Sequence, residues 1–131
     1  MQNIIRSIKA FDEALAQFHE DYEVWFDDGN PAGRIISWRG IYAEASLDHG
    51  HIPQTPDSGR PNVATVKKLR AQIQDLYNGS TLEGYKGGEF HMWEHTGIWA
   101  DEYGMASEYA IMSLTFDFDK ARVIVNRIDL G

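Results

Sequence analysis

Ser107-Glu108-Tyr109-Ala110-Ile111-Met112-Ser113-Leu114-Thr115-Phe116 and Ala121-Arg122-Val123-Ile124-Val125-Asn126-Arg127-Ile128-Asp129-Leu130 are two runs rich in β-branched and aromatic residues. Asp117-Phe118-Asp119-Lys120 joins them. Such residues suit a pleated, half-buried surface, and a short polar connection between two such runs predicts a β-hairpin. Upstream, Gly84-Tyr85-Lys86-Gly87-Gly88 reads as a glycine-rich turn, with short strands around Phe90 to Trp93 and Gly97 to Ala100.

Further back the apolar period changes from two to between three and four. Val63, Val66, Leu69, Ile73 and Leu76 recur at helical spacing, and Asn78-Gly79 supplies a stop. Ile4, Ile8, Phe11, Leu15 and Phe18 predict an amphipathic helix over the first twenty residues. Between the helices, Asp21 to Phe26 reads as a strand, and Asp27-Asp28-Gly29-Asn30-Pro31 as a turn opening a hairpin into Gly33 to Leu47. Gly40 interrupts that segment, which suggests a bulge or a close approach to the backbone. Asp48 to Asn62 carries three of the 4 prolines and reads as a long loop. The whole predicts one α+β ligand-binding domain over 1–131, with two helices packed on a mostly antiparallel β-sheet.

Composition narrows the chemistry. The chain has 131 residues, no cysteine and a formal net charge of −8. Disulfides, thiolate metal sites and cysteine nucleophiles are excluded, and the acidity disfavours general binding to duplex DNA. A small anionic ligand is still compatible, because one or two convergent arginines make a local positive pocket. The first ten residues mix Arg6 and Lys9 into an isoleucine pattern and read as neither a signal peptide nor a membrane span.

His91-Met92-Trp93-Glu94-His95 matches the spelling of an inverted zinc-peptidase motif. That chemistry requires both histidines on one helical face. The glycines and aromatic residues around them favour a strand, where the two rings stand too far apart for one ion. His49-x-His51 reads as solvent-exposed. Gly84-x-x-Gly87-Gly88 is too short for a phosphate-binding P-loop. No nucleophile elbow or convincing acid–base pair appears, so no catalytic residue, metal or cofactor is expected. Trp38-Arg39 and Arg122 suit a ligand better, since a guanidinium fork matches pyrophosphate and an aromatic face matches a base. From spacing alone, a core Trp38 with Arg39 paired to a carboxylate is the favoured reading.

Three blocks, Ser37-Trp38-Arg39-Gly40-Ile41-Tyr42-Ala43-Glu44, Gly84-Tyr85-Lys86-Gly87-Gly88-Glu89-Phe90-His91-Met92 and Trp99-Ala100-Asp101-Glu102-Tyr103-Gly104, together resemble the phage-encoded anti-Thoeris sponge family. The likeness runs from about Val24 to Ile128 and is weakest over Asp48 to Asn62. It implies a non-enzymatic protein that captures cyclic ADP-ribose isomers made by TIR-domain defence enzymes and holds them uncleaved in the host bacterial cytoplasm. It also implies a homodimer or homohexamer with the pocket at the subunit interface, and in some members a separate site for cyclic trinucleotides. Carried onto this chain, Arg39 is a phosphate ligand beside Trp38. Met92 or Trp93 is the base-stacking position, Glu102 precedes Tyr103 at the third block, and Arg122, ahead of Arg127, is the C-terminal arginine. Arg60, Lys67, Lys68 and Arg70 are the candidate trinucleotide contacts. Two other classes compete: an acidic nucleic-acid mimic that inhibits a defence nuclease, with carboxylates along one face, and an enzyme cleaving the cyclic nucleotide through His91 or His95.

Overall fold

The computed structural model describes residues 4–38, 40–50, 63–84, 86–102 and 105–130, by backbone alone at 101–102 and 105–108. The elements run α1 (Ile8–Leu15), β1 (Glu23–Phe26), β2 (Ala32–Ser37), β3 (Ala45–His49), α2 (Val66–Tyr77), β4 (Thr81–Glu83), β5 (Glu89–His91), β6 (Ile98–Glu102), β7 (Met105–Asp117) and β8 (Arg122–Asp129). The fold is α+β: two helices and a mostly antiparallel six-stranded sheet ordered β1-β8-β7-β6-β3-β2, with β4 and β5 forming a second small sheet. The expected hairpin is β7–β8, in register from Tyr109↔Asp129 to Asp117↔Arg122 with one irregularity between Ile111 and Ser113.

Two pairings are parallel. β1 lies along β8 with Val24↔Val123 and Phe26↔Val125, and β3 lies along β6 with Ala45↔Ile98 and Leu47↔Ala100. The turn after β1 closes tightly, Phe26 N–H donating to Asn30 C=O at 2.7 Å, yet the ladder of β1 is with β8. Strands β1 and β2 are thus the two ends of the sheet order, and Ala64 draws them together. Val24 N–H donates to Ala64 C=O at 2.9 Å, and Ala64 N–H donates to Ala32 C=O at 2.7 Å. The sheet curls until its edges meet.

Helix α1 is shorter than the apolar pattern suggests, and the reason is local. Ser7 is its N-cap, the hydroxyl accepting from Ala10 N–H at 3.1 Å. The unpaired donors of the first turn go elsewhere in the fold: Ile8 N–H to Thr96 C=O at 3.0 Å and Lys9 N–H to Glu94 C=O at 3.1 Å. Before the cap the chain is extended, with Ile5 bridged to Ile111 and Ser7 to Gly97. Beyond the helix, Phe18 stacks on Phe116. Helix α2 starts at the Thr65 cap and stops at Asn78, followed by Gly79 at φ +110°.

Ile8, Phe11 and Leu15 of α1 and Val66, Leu69, Ile73 and Leu76 of α2 are fully or almost fully buried against Val24, Phe26, Ile35, Leu47, Ile111, Val123 and Val125. These side chains form one core. Gln72 adds a directional contact: its amide accepts from Ile35 N–H and donates to Ile35 C=O, both at 2.8 Å. A side chain thereby replaces a strand partner on the open side of β2. Asp48 and His49, predicted as the start of a loop, instead complete β3, and Gly50 N–H donates to Pro31 C=O. Residues 51–62 lie outside those described. Among the described residues no helix is long and apolar enough to cross a membrane.

Candidate functional site

The three sequence blocks meet in space. Trp38, just past β2, stacks on Trp99 of β6 with ring centres 4.3 Å apart and planes 12° apart. Its N–H donates to Glu44 C=O at 2.7 Å, Glu44 N–H donates to Ile41 C=O, and the Ser37 hydroxyl donates to Tyr42 C=O at 2.6 Å. These bonds tie the segment between β2 and β3 into a compact turn. Gly40 is required there because an added Cβ would stand 2.8 Å from the Trp38 ring. The close approach suggested by that glycine comes from the neighbouring tryptophan. Tyr42 in turn lies 6.4 Å from Phe90 of β5, whose ring packs over Gly84.

Beside Trp99 is a cleft of about 210 Å³ lined by Arg6, Glu44, Gly97, Ile98, Trp99 and Ala110. Ile98 N–H donates to Arg6 C=O at 3.0 Å, and the Ser7 cap follows immediately, so the start of α1 sets the position of Arg6. Trp99 Nε1–H donates to Glu44 Oε1 at 2.8 Å. The cleft is therefore lined by an arginine, a glutamate and a tryptophan whose indole is stacked on Trp38. Arg6 was invisible as a site residue from sequence, where it is one cation in an isoleucine pattern. Glu44 and Trp99 lay in the quoted blocks without an assigned role, and only their mutual hydrogen bond marks them.

The other predicted residues are more dispersed. Trp38 is 7% exposed, its ring occupied by Trp99 and Gly40. Met92 is completely buried and belongs to the core. Trp93 is exposed, stacks on His91 and lines a shallow depression with Tyr77, Glu94 and His95. Arg122 sits 4.2 Å over the Trp25 ring, with Nε 3.8 Å from an Asp117 oxygen. Asp117 is seven positions along β7 from Ala110 of the cleft (117 − 110), a span of about 23 Å at 3.3 Å per residue. Arg122 and the cleft do not share a site within one chain. Arg39 and Tyr103 lie outside the described residues, and Glu102 is described only as the last residue of β6.

His91 lies in β5 and His95 in the turn after it, so the pair does not form the helical face that a zinc peptidase uses. Of the basic patch, Arg60 lies outside the described residues, Arg70 donates to Asp12 at 2.9 Å, and Lys67 borders a depression with Glu20 and Gln74.

A second polar cluster joins the β1–β2 turn to β3 and β8. Arg127 Nε donates to Asp27 Oδ1 and NH2 donates to Asp28 Oδ2, each at 3.0 Å. His49 Nε2 lies 3.4 Å from Asp28 Oδ2, and its ring packs on Phe26 with centres 4.5 Å apart. Burial lowers the His49 pKa, against the pull of Asp28, with Arg127 adding to the decrease. Burial opposes ionisation of Asp28, but hydrogen bonds from Asn30 and the charges of Arg127 and His49 leave its pKa lowered. Both shifts have the same sign for stability. A depressed folded-state pKa contributes stability above the unfolded value that is lost as pH falls through the folded one. The melting temperature is therefore expected to hold above about pH 6.5 and to fall in two stages, first with His49 and then, below about pH 4, with Asp28. Thermal melts of wild type and His49→Gln check this: the variant should lack the first stage, and an unchanged profile would remove His49 as its cause.

Compared with protein-family models, with curated proteins and with solved structures, the chain has no match in any of the three.

Proposed function

We propose that this protein is a phage anti-defence sponge that binds cyclic ADP-ribose isomers made by TIR-domain enzymes and sequesters them in the host bacterial cytoplasm without degrading them. The observation that carries this reading is that the first and third blocks meet at one cleft, through the Trp38–Trp99 stack and the Trp99–Glu44 hydrogen bond, while the second block touches the first through Tyr42 and Phe90. Residues far apart in the chain that meet around an arginine and an aromatic face suit a nucleotide with negative charge.

Size supports a site shared between subunits. Sites that enclose drug-sized ligands run to roughly 300–1,000 Å³, and the cleft holds about 210 Å³. A dinucleotide would extend beyond it, toward a second protomer whose Arg122 could then reach a phosphate. Ile41, on the turn that carries Glu44, is half exposed and suited to burial in such a homodimer or homohexamer. Cyclic trinucleotides at the Lys67 side of α2 belong to the same proposal. The nucleic-acid-mimic alternative is less well supported, because Asp12, Asp27, Asp28 and Asp117 are engaged by the chain's own arginines.

Calorimetric titration with cyclic ADP-ribose isomers tests the proposal, followed by heat release and chromatography of the ligand. Tight binding with intact recovery is expected. Arg6→Ala and Arg39→Ala should each weaken binding at least ~10-fold, the loss of one charge-assisted hydrogen bond or more. Absence of binding to every isomer would refute sequestration, and recovery of a linear product would make the protein an enzyme.

A further inference from the structure

Building on the nucleotide reading, we infer that the cleft beside Trp99 recognises a ribose diol, with Glu44 accepting from the sugar hydroxyls and Arg6 facing the adjoining phosphate. Glu44 is the starting point. A carboxylate has two oxygens and accepts hydrogen bonds only. Trp99 Nε1–H holds Oε1 at 2.8 Å, and among the described residues this is the one hydrogen bond that the carboxylate makes. Among the described residues the second oxygen has no donor, and we assign it to a donor of the ligand. Vicinal hydroxyls are such donors, and an acidic residue receiving them is a recurrent way of holding ribose.

Arg6 makes the assignment directional. It lines the same cleft as Glu44, yet among the described residues neither enters an ion pair within 4.0 Å. Opposite charges in direct contact would satisfy each other. Held apart, they offer a ligand one acceptor and one planar donor fork. Glu44 repels a phosphate and Arg6 attracts it, so the sugar and the phosphate have one favourable orientation between them. Ile98, Trp99 and Ala110 complete the lining of the cleft.

Gly97 completes the arrangement. A Cβ there would stand 3.2 Å from both Cδ and Oε1 of Glu44, so any larger residue would push the carboxylate by a few tenths of an ångström. Gly97 also anchors β3, its C=O accepting from Ala45 N–H at 2.8 Å, which ties the resting place of Glu44 to the sheet.

NMR titration of the full chain with ribose 5-phosphate and with 2-deoxyribose 5-phosphate tests this, read at the Trp99 indole N–H. Ribose 5-phosphate is expected to bind weakly and move that signal, and the deoxy sugar to bind about 10-fold more weakly, the worth of one hydrogen bond to a charged group. Glu44→Gln should bring the two sugars within about twofold of each other. Gly97→Ala keeps Glu44 but displaces its carboxylate, and should lose the same discrimination while the rest of the spectrum stays native. Equal binding of both sugars to the wild-type chain, or binding of neither, overturns the inference. Cyclic ADP-ribose calorimetry separates the two ideas: tight binding there without sugar discrimination leaves sequestration standing and removes only the diol contact.

Discussion

Trp38→Ala is expected to destabilise the protein by about 3–5 kcal/mol, the range for removing a large buried aromatic side chain. The side chain is 7% exposed, and alanine leaves Trp99 without its stacking partner. Aromatic pairs contribute roughly 0.5–1.5 kcal/mol beyond the area they bury. The damage extends to function through the turn. Gly40 lies against the Trp38 ring, and the Glu44 carboxylate at the end of the same turn reaches Trp99. Losing the ring therefore loosens the wall of the cleft. Trp38→Phe keeps an aromatic face and should retain more than half of the lost stability. Denaturant midpoints of the three proteins measure this, and an unchanged midpoint for the alanine variant would show that the stack contributes little.

Arg127→Met should cost about 2–3 kcal/mol, for an electrostatic reason. Breaking a buried ion pair by removing one partner typically costs 3–5 kcal/mol. Here the arginine side chain is 10% exposed, whereas Asp27 and Asp28 are about a third exposed. Water can reach the stranded carboxylates and reduces the penalty. The guanidinium also lies over the rings of Phe26 and Tyr109, at 5.4 and 4.7 Å, so its loss removes packing together with charge. Arg127→Lys should recover little, because one ammonium cannot reproduce a fork that bridges two carboxylates. Arg127 is one of the charges that lower the Asp28 pKa, so protonating Asp28 removes part of the loss and the deficit should shrink below about pH 4. Chemical denaturation at pH 7 and pH 3.5 checks both points; a deficit independent of pH would mean that packing alone is responsible.

Arg127's role cannot be read from local pattern, whereas spacing alone favours a core position for Trp38 over a ligand contact. The resemblance makes Trp38 a candidate base-stacking group beside Arg39, and its burial against Trp99 agrees instead with the core reading. Arg127 stood second to Arg122 as a ligand arginine, but it holds the turn after β1 in place. An aromatic–cation pair in sequence carries no record of which face is covered. That depends on partners about 60 or 100 residues away, as with Trp99 for Trp38 and Asp27 for Arg127.

The local features were legible because their causes are local. Ile8, Phe11 and Leu15, and Val66, Leu69, Ile73 and Leu76, share a face because a helix turns once in about 3.6 residues. Asn78-Gly79 ends α2 because the chain needs a positive φ at its exit, and Gly79 has φ +110°. The β7–β8 hairpin follows from two strand-forming runs separated by a short polar turn. Alternation of period two places a strand's side chains on two faces but does not name its neighbours. The parallel pairings of β1 with β8 and β3 with β6, the meeting of β1 and β2 at Ala64, and the cleft shared by Arg6, Glu44 and Trp99 therefore arise only in the tertiary structure. There, burying the core and pairing main-chain groups select among arrangements that local sequence leaves equally open.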